Sequence, residues 1–219
     1  MVRGRCVNPV QGRGFTLLET MLALVIISVG ILAFIDAQAA FTRSNNWSSR
    51  AATGMLLANE IRELARRLPR HDPVTGLTLT QSGGSQVLVG WGREAGEVSV
   101  DDIDDLDDLD GMIFGDGGTF AGPIDAFGFV VPAVDLDGNP FEDGRGLAGW
   151  RQRVIVDKID PYNFGLVRAD AYVQAAGAQL PAIGVDRFPL RVTVIVEYTD
   201  PDRTTAEEIT RLTWVVPAE

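Results

Sequence analysis

The side chains best equipped for chemistry in this sequence are carboxylates, and they are gathered in one stretch. Between Glu94 and Asp143, ends included, lie fifteen acids and no base, and the run DDIDDLDDLDG at Asp101–Gly111 is the densest part. Carboxylate oxygens suit a hard cation such as Ca²⁺, and Asp105, Asp108 and Asp110 just before Gly111 could bend around one. Asp135, Asp137, Asn139 and Glu142 in DLDGNPFED form a second candidate set. Neither has the twelve-residue EF-hand spacing, because the bidentate acid is out of place. Charge repulsion favours a different reading of the run, a solvated loop, since so many acids without counter-charge do not form a stable ordinary helix. For the second set a hairpin turn at DGN is the simpler account.

Other chemistry is sparse. Cys6 is the only cysteine and His71 the only histidine, which excludes an intramolecular disulfide and a His-based metal site. The spacings of a nucleophile elbow, a P-loop, a zincin helix or paired CxxC do not occur. Nineteen basic against thirty acidic residues give net −11, and no basic stretch carries interleaved aromatics, so no nucleic-acid partner is expected. One further acid stands out. Glu19 lies in the apolar run Phe15–Ile35, 21 positions in which only Thr16, Thr20 and Ser28 are otherwise polar. An ionised carboxylate in such a setting costs about 2.5–3.5 kcal/mol on insertion scales, and is normally kept where it has a partner.

The run is long enough to cross a bilayer, and Arg3, Arg5 and Arg13 precede it with no acid, a positive-inside arrangement. The string GFTLLETMLALVIISVGILAF, behind its short basic leader, resembles the type IV prepilin signature. That resemblance implies cleavage by a prepilin peptidase between Gly14 and Phe15, N-methylation of Phe15, and a role for Glu19 as the family's acid. Gly14 has no Cβ and lets a protease approach the backbone. The cut leaves a cationic amine on Phe15, and a neighbouring subunit's Glu19 would neutralise it, since a buried charge is tolerable when paired and costly alone. A secretory signal cleaved after Ala37–Gln38–Ala39 is the competing account; its apolar region would be longer than usual and would contain an acid. Cys6 is lost on either route, so the mature chain has no cysteine.

No proline occurs from Phe15 to Leu68, and Leu57, Ile61, Leu64 and Leu68 fall on one helix face. Arg62 and Arg66 sit one turn apart, Glu63 is spaced to pair with Arg67, and Pro69 stops the helix. Unbroken, the helix would span about 81 Å, with Gly30 as a weak point where it could bend. ATGMLLANEIRELARRLP is also similar to the amphipathic half-helix of minor pilins of the pilus modification type and, more loosely, of type II secretion pseudopilins. Residues 70–125 read as an acidic Gly/Asp-rich loop region with one strand at Ser85–Trp91. Phe127–Val134, Trp150–Lys158, Leu190–Tyr198 and Ile209–Val216 read as four antiparallel strands, with residues 159–189 as a long connection. The amphipathic half of the helix would cover the apolar face of that sheet.

The expected fold is therefore α+β and pilin-like: a leader over 1–14, a transmembrane or filament-core helix over 15–41, its amphipathic half over 42–69, the loop region over 70–125 and a sheet domain over 126–219. The resemblance implies a non-enzymatic minor pilin, with a type II secretion pseudopilin as the alternative. It implies as partners the prepilin peptidase, other pilins or pseudopilins, and an inner-membrane assembly platform with its ATPase. The chain would cross the inner membrane once with its amino terminus cytoplasmic, then enter a pilus or periplasmic filament. No cofactor is expected unless the acidic run holds Ca²⁺. The rival classes are an envelope enzyme using the clustered aspartates and an adhesin making contacts through Trp91 and Tyr162.

Overall fold

The computed structural model describes residues 16–135, 137–178 and 180–218. The chain divides between Ser48 and Ser49 into two compact units. The first holds the amino-terminal part of helix α1, which runs from Leu17 to Ala65. Thr16 precedes it, and its Oγ1 accepts the Glu19 N–H at 3.3 Å, satisfying one of the free donors of the first turn. Thr20 and Ser28 donate their hydroxyls back to the carbonyls of Leu17 (2.8 Å) and Leu24 (2.7 Å). The hydroxyls of Thr20 and Ser28 are thus satisfied within the helix, as a hydrocarbon surround requires. Gly30 does not interrupt the helix.

In the second unit, the later turns of α1 bury Gly54, Leu57, Ala58, Ile61, Leu64 and Ala65. This is the face expected from the spacing, and Leu68 packs beside it. The sheet beneath has the order β3-β4-β6-β7, formed by Ile113–Gly115, Trp150–Asp160, Leu190–Tyr198 and Glu207–Val216, and it is antiparallel throughout. β4 alternates buried and half-buried residues, which puts Trp150, Gln152, Val154 and Val156 on the inner face with Val192, Val194 and Val196 of β6. These side chains and the buried face of α1 form one core. The α+β arrangement of a long amino-terminal helix and an antiparallel sheet is therefore as expected.

Several details differ from expectation. Phe127–Val134 is not a strand: its segment makes only isolated bridges, such as Ile124 with Val130 and Pro132 with Gly146. Pro123, Pro132 and Pro140 remove ladder donors there, and Phe127 and Phe129 are exposed. β3 takes the position beside β4 instead. The region read as loop contains a hairpin of β1 (Thr78–Ser82) and β2 (Ser85–Val89), joined by Gly83 and Gly84 at φ 60° and 83°, the left-handed pair a two-residue turn demands. The 159–189 connection contains β5 (Asn163–Val167), which pairs with the end of β4. Glu63 pairs with Arg66 at 2.8 Å rather than with Arg67, whose guanidinium lies over the Phe127 ring.

Candidate functional site

The acidic run is not a solvated loop. Ile103, Leu106 and Leu109 recur every third residue, and the chain turns through two 3₁₀ segments, Val100–Asp102 and Asp107–Leu109, that deliver all three into the core. The first turn is closed by Asp102, whose Oδ2 accepts the N–H groups of Val98 and Ser99 at 3.0 and 2.8 Å. Leu106 N–H donates to the Pro69 carbonyl at 2.9 Å, tying the run to the end of α1. Burying the apolar residues carries the acids between them inward: Asp105, Asp107 and Asp108 are 1%, 0% and 0% exposed.

Asp108 is the hub. Its Oδ2 accepts the N–H groups of Asp104 and Asp105 at 3.2 and 3.3 Å, and its own N–H donates to Asp105 Oδ1 at 3.1 Å. Its Oδ1 is shut off from solvent and has no hydrogen-bond partner, and the same holds for both carboxylate oxygens of Glu94. Glu94, Glu97 and Asp108 each place an oxygen within 4.8 Å of the others, and so do Asp104, Asp105 and Asp108. Of the three aspartates expected to converge, Asp105 and Asp108 do. Asp110 does not: its Oδ1 accepts the Val156 N–H at 2.8 Å and serves β4. Glu94, Glu97 and Asp104 were missed. The legible sign was the three-residue spacing of Glu94 and Glu97, which a tight turn brings together, with Glu97 N–H donating to the Glu94 carbonyl. In the second candidate set, Asp135 Oδ1 accepts the N–H groups of Asp137 and Asn139, both at 2.9 Å, in an exposed turn.

Burial dominates the electrostatics. It pushes the Asp105 carboxyl up to about 8, helped by a hydrogen bond with Asp107 that favours the proton on Asp105. Burial raises Asp108 to about 7, with the charge of Asp105 adding to it. Glu94 is raised to about 7 by burial of its oxygens and then by the neighbouring Glu97. On the other side of the run, Asp107 Oδ1 lies 3.1 Å from His71 Nδ1, and its Oδ2 accepts the Gly92 N–H at 3.3 Å. Burial and then Arg70 lower His71 to about 4, so the ring is neutral at pH 7. Lys158, wholly buried beneath Trp91 and Phe188, donates to the Asp170 carbonyl, and burial lowers it to about 8. Trp91 is therefore half-buried in this cluster, whereas Tyr162 is exposed.

At the amino terminus, Gly14 and Phe15 lie outside the described residues. Glu19 is exposed in the first turn of α1. The large apolar side chains from Leu17 to Ile35 are all more than half exposed among the described residues, and the stretch is long and apolar enough to cross a membrane. No curated protein and no solved structure matches the chain. Residues 12–35 match the family model described as the prokaryotic N-terminal methylation motif, which takes in Gly14, Phe15 and Glu19 together with the exposed apolar turns. That motif stands at the head of a long apolar helix followed by an antiparallel sheet, an α+β, pilin-like architecture.

Proposed function

We propose that this chain is a minor subunit of a type IV pilus or a related filament, a structural component with no catalysis of its own. The observation that carries the reading is the methylation motif over residues 12–35, coupled to an apolar helix surface that is exposed among the described residues. A prepilin peptidase in the inner membrane removes residues 1–14, Phe15 is methylated, and the apolar helix leaves the bilayer for a filament core made with other pilins. There Glu19 of one subunit pairs with the Phe15 amine of its neighbour, which sets axial register. An assembly platform and its ATPase drive the step.

A minor role is favoured over a repeating shaft subunit by size and charge. Cleavage leaves 205 residues and, with three arginines gone, takes the net charge from −11 to −14. Close packing of many identical copies at that charge is electrostatically unfavourable. The test is co-expression with a prepilin peptidase followed by intact-mass measurement. Loss of residues 1–14 with one methyl group added is expected, and Gly14→Val should block the cut. A mature terminus at Ala40 would overturn the reading in favour of a secretory signal. Recovery in filaments sheared from the cell surface separates a pilus subunit from a pseudopilin, which stays in the periplasm.

A further inference from the structure

Glu94, Glu97, Asp104, Asp105 and Asp108 form no salt bridge among the described residues. Acidic clusters on a protein surface are ordinarily solvated; here Asp104 is exposed and Glu94 and Glu97 are half-buried, but Asp105 and Asp108 are buried. Asp108 is 0% exposed, and its Oδ1, like both oxygens of Glu94, meets neither solvent nor a donor. Buried carboxylate oxygens left in that state are costly, and a native fold keeps them only for a reason such as a bound ion. Two oxygens held by one Ca²⁺ at 2.3–2.6 Å stand no more than about 5 Å apart, and the Glu94, Glu97 and Asp108 oxygens lie within 4.8 Å of one another.

We propose that Glu94, Glu97 and Asp108 bind a Ca²⁺ ion, with Asp104 and Asp105 completing the oxygen shell or orienting Asp108. Donor chemistry selects the metal. The set is all carboxylate, which suits a hard cation; the chain's one histidine is engaged with Asp107 instead. Three or more protein carboxylates around one ion suit Ca²⁺, which takes six to eight oxygens. Mg²⁺ keeps several waters and is commonly held by one or two carboxylates. The rival occupant is a proton shared between Glu94 and Glu97, which would also relieve their repulsion. A bound ion would clamp the Glu94–Gly111 segment against the end of α1 and β4, to which Leu106 and Asp110 already tie it. The clamp would act in a chain that retains no cysteine after residue 6 and so cannot use a disulfide. The site does not depend on leader cleavage, so its failure and that of the filament reading are separately visible.

The experiment uses the full chain in detergent at pH 7.5, stripped with chelator, then melted in millimolar Ca²⁺, Mg²⁺ or NaCl of matched ionic strength, with equilibrium dialysis for stoichiometry. One Ca²⁺ per chain is expected. The folding constant should rise about a hundredfold at a hundred times Kd, with smaller effects of Mg²⁺ and NaCl. Glu94→Gln should weaken binding about tenfold or more without lowering the metal-free melting temperature, because the amide takes one charge out of a cluster of acids and can still donate to Glu97. Asp135→Asn, in the exposed turn, should bind as wild type. Asp108→Asn should abolish binding; if it fails to fold, Glu94→Gln decides alone. Superimposable melts in the three salts, an equal response to Mg²⁺, or wild-type Ca²⁺ affinity in Glu94→Gln would overturn the site.

Discussion

Single side chains carry two consequences. Glu19 is the one acid in the apolar turns from Leu17 to Ile35, and removing it takes a charge out of the inserted segment. Glu19→Val should therefore insert at least as well as wild type and still be processed, yet be depleted in sheared filament fractions; equal recovery would count against a register role. Gln152 is the second case. It is fully buried on the inner face of β4, where its Oε1 accepts the Ile124 N–H at 2.8 Å and its Nε2 donates to the carbonyls of Leu57 and Ile124, both at 2.9 Å. It joins helix, strand and loop. Gln152→Leu fills similar space but strands the Ile124 N–H, so a loss of about 1–3 kcal/mol is expected in denaturant titrations. The sequence showed Gln152 only as a polar residue out of place in an alternating strand; its partners are 28 and 95 residues away.

At the scale of elements, the contact of α1 with the sheet depends on size as well as apolarity. Ile61 is wholly buried in the helix face, and Ile61→Ala should cost about 2–5 kcal/mol, read from denaturant midpoints. Gly54 lies against β7: a Cβ there would stand 2.9 Å from Ile209 Cγ2. Gly54→Val should thus destabilise by about 1–3 kcal/mol through overpacking, and Ile209→Ala in the same chain should recover part of the loss. Strict additivity of the two changes would refute a direct contact. The face carrying Leu57, Ile61 and Leu64 was legible from its spacing, because helical periodicity is a local property. The close approach at Gly54 was not, since it joins residues 155 apart.

For the molecule as a whole, buried acids make stability depend on pH. Asp105, Asp108 and Glu94 titrate near 7–8 when folded, against ordinary values of 3.8, 3.8 and 4.5. Between those limits the folded state holds protons that the unfolded chain has lost, so without metal the stability they contribute is lost as pH rises through 7 to 8. His71, at about 4 against 6.5, opposes this only below pH 6.5, and Lys158, at about 8 against 10.5, only above 8. Asp107 releases its proton near 6, so the window between about 6.5 and 8 belongs to the three acids, with Arg70, Lys158 and Asp186 as charges facing the neighbouring cluster. In chelator the melting temperature should fall across that window. A melting temperature that stays level across it would mean that these carboxyls are already ionised in the folded chain.

Local pattern determined the apolar helix, its amphipathic continuation and the strands beginning at Trp150 and Leu190 and ending at Val216. Each rests on spacing or composition within a few dozen residues. Tertiary structure alone decided the fate of the acidic run. Charge density argued for solvent, but Ile103, Leu106 and Leu109 had a core to fill, and burying them drew Asp105, Asp107 and Asp108 in with them. That core is assembled by α1, β4 and β6 from distant parts of the chain, so a reading of the run in isolation had no apolar partner to weigh against its charge. Likewise, Phe127–Val134 has the residues of a strand but lost its place to Ile113–Gly115, because strand pairing is settled by which free edge and donors meet β4.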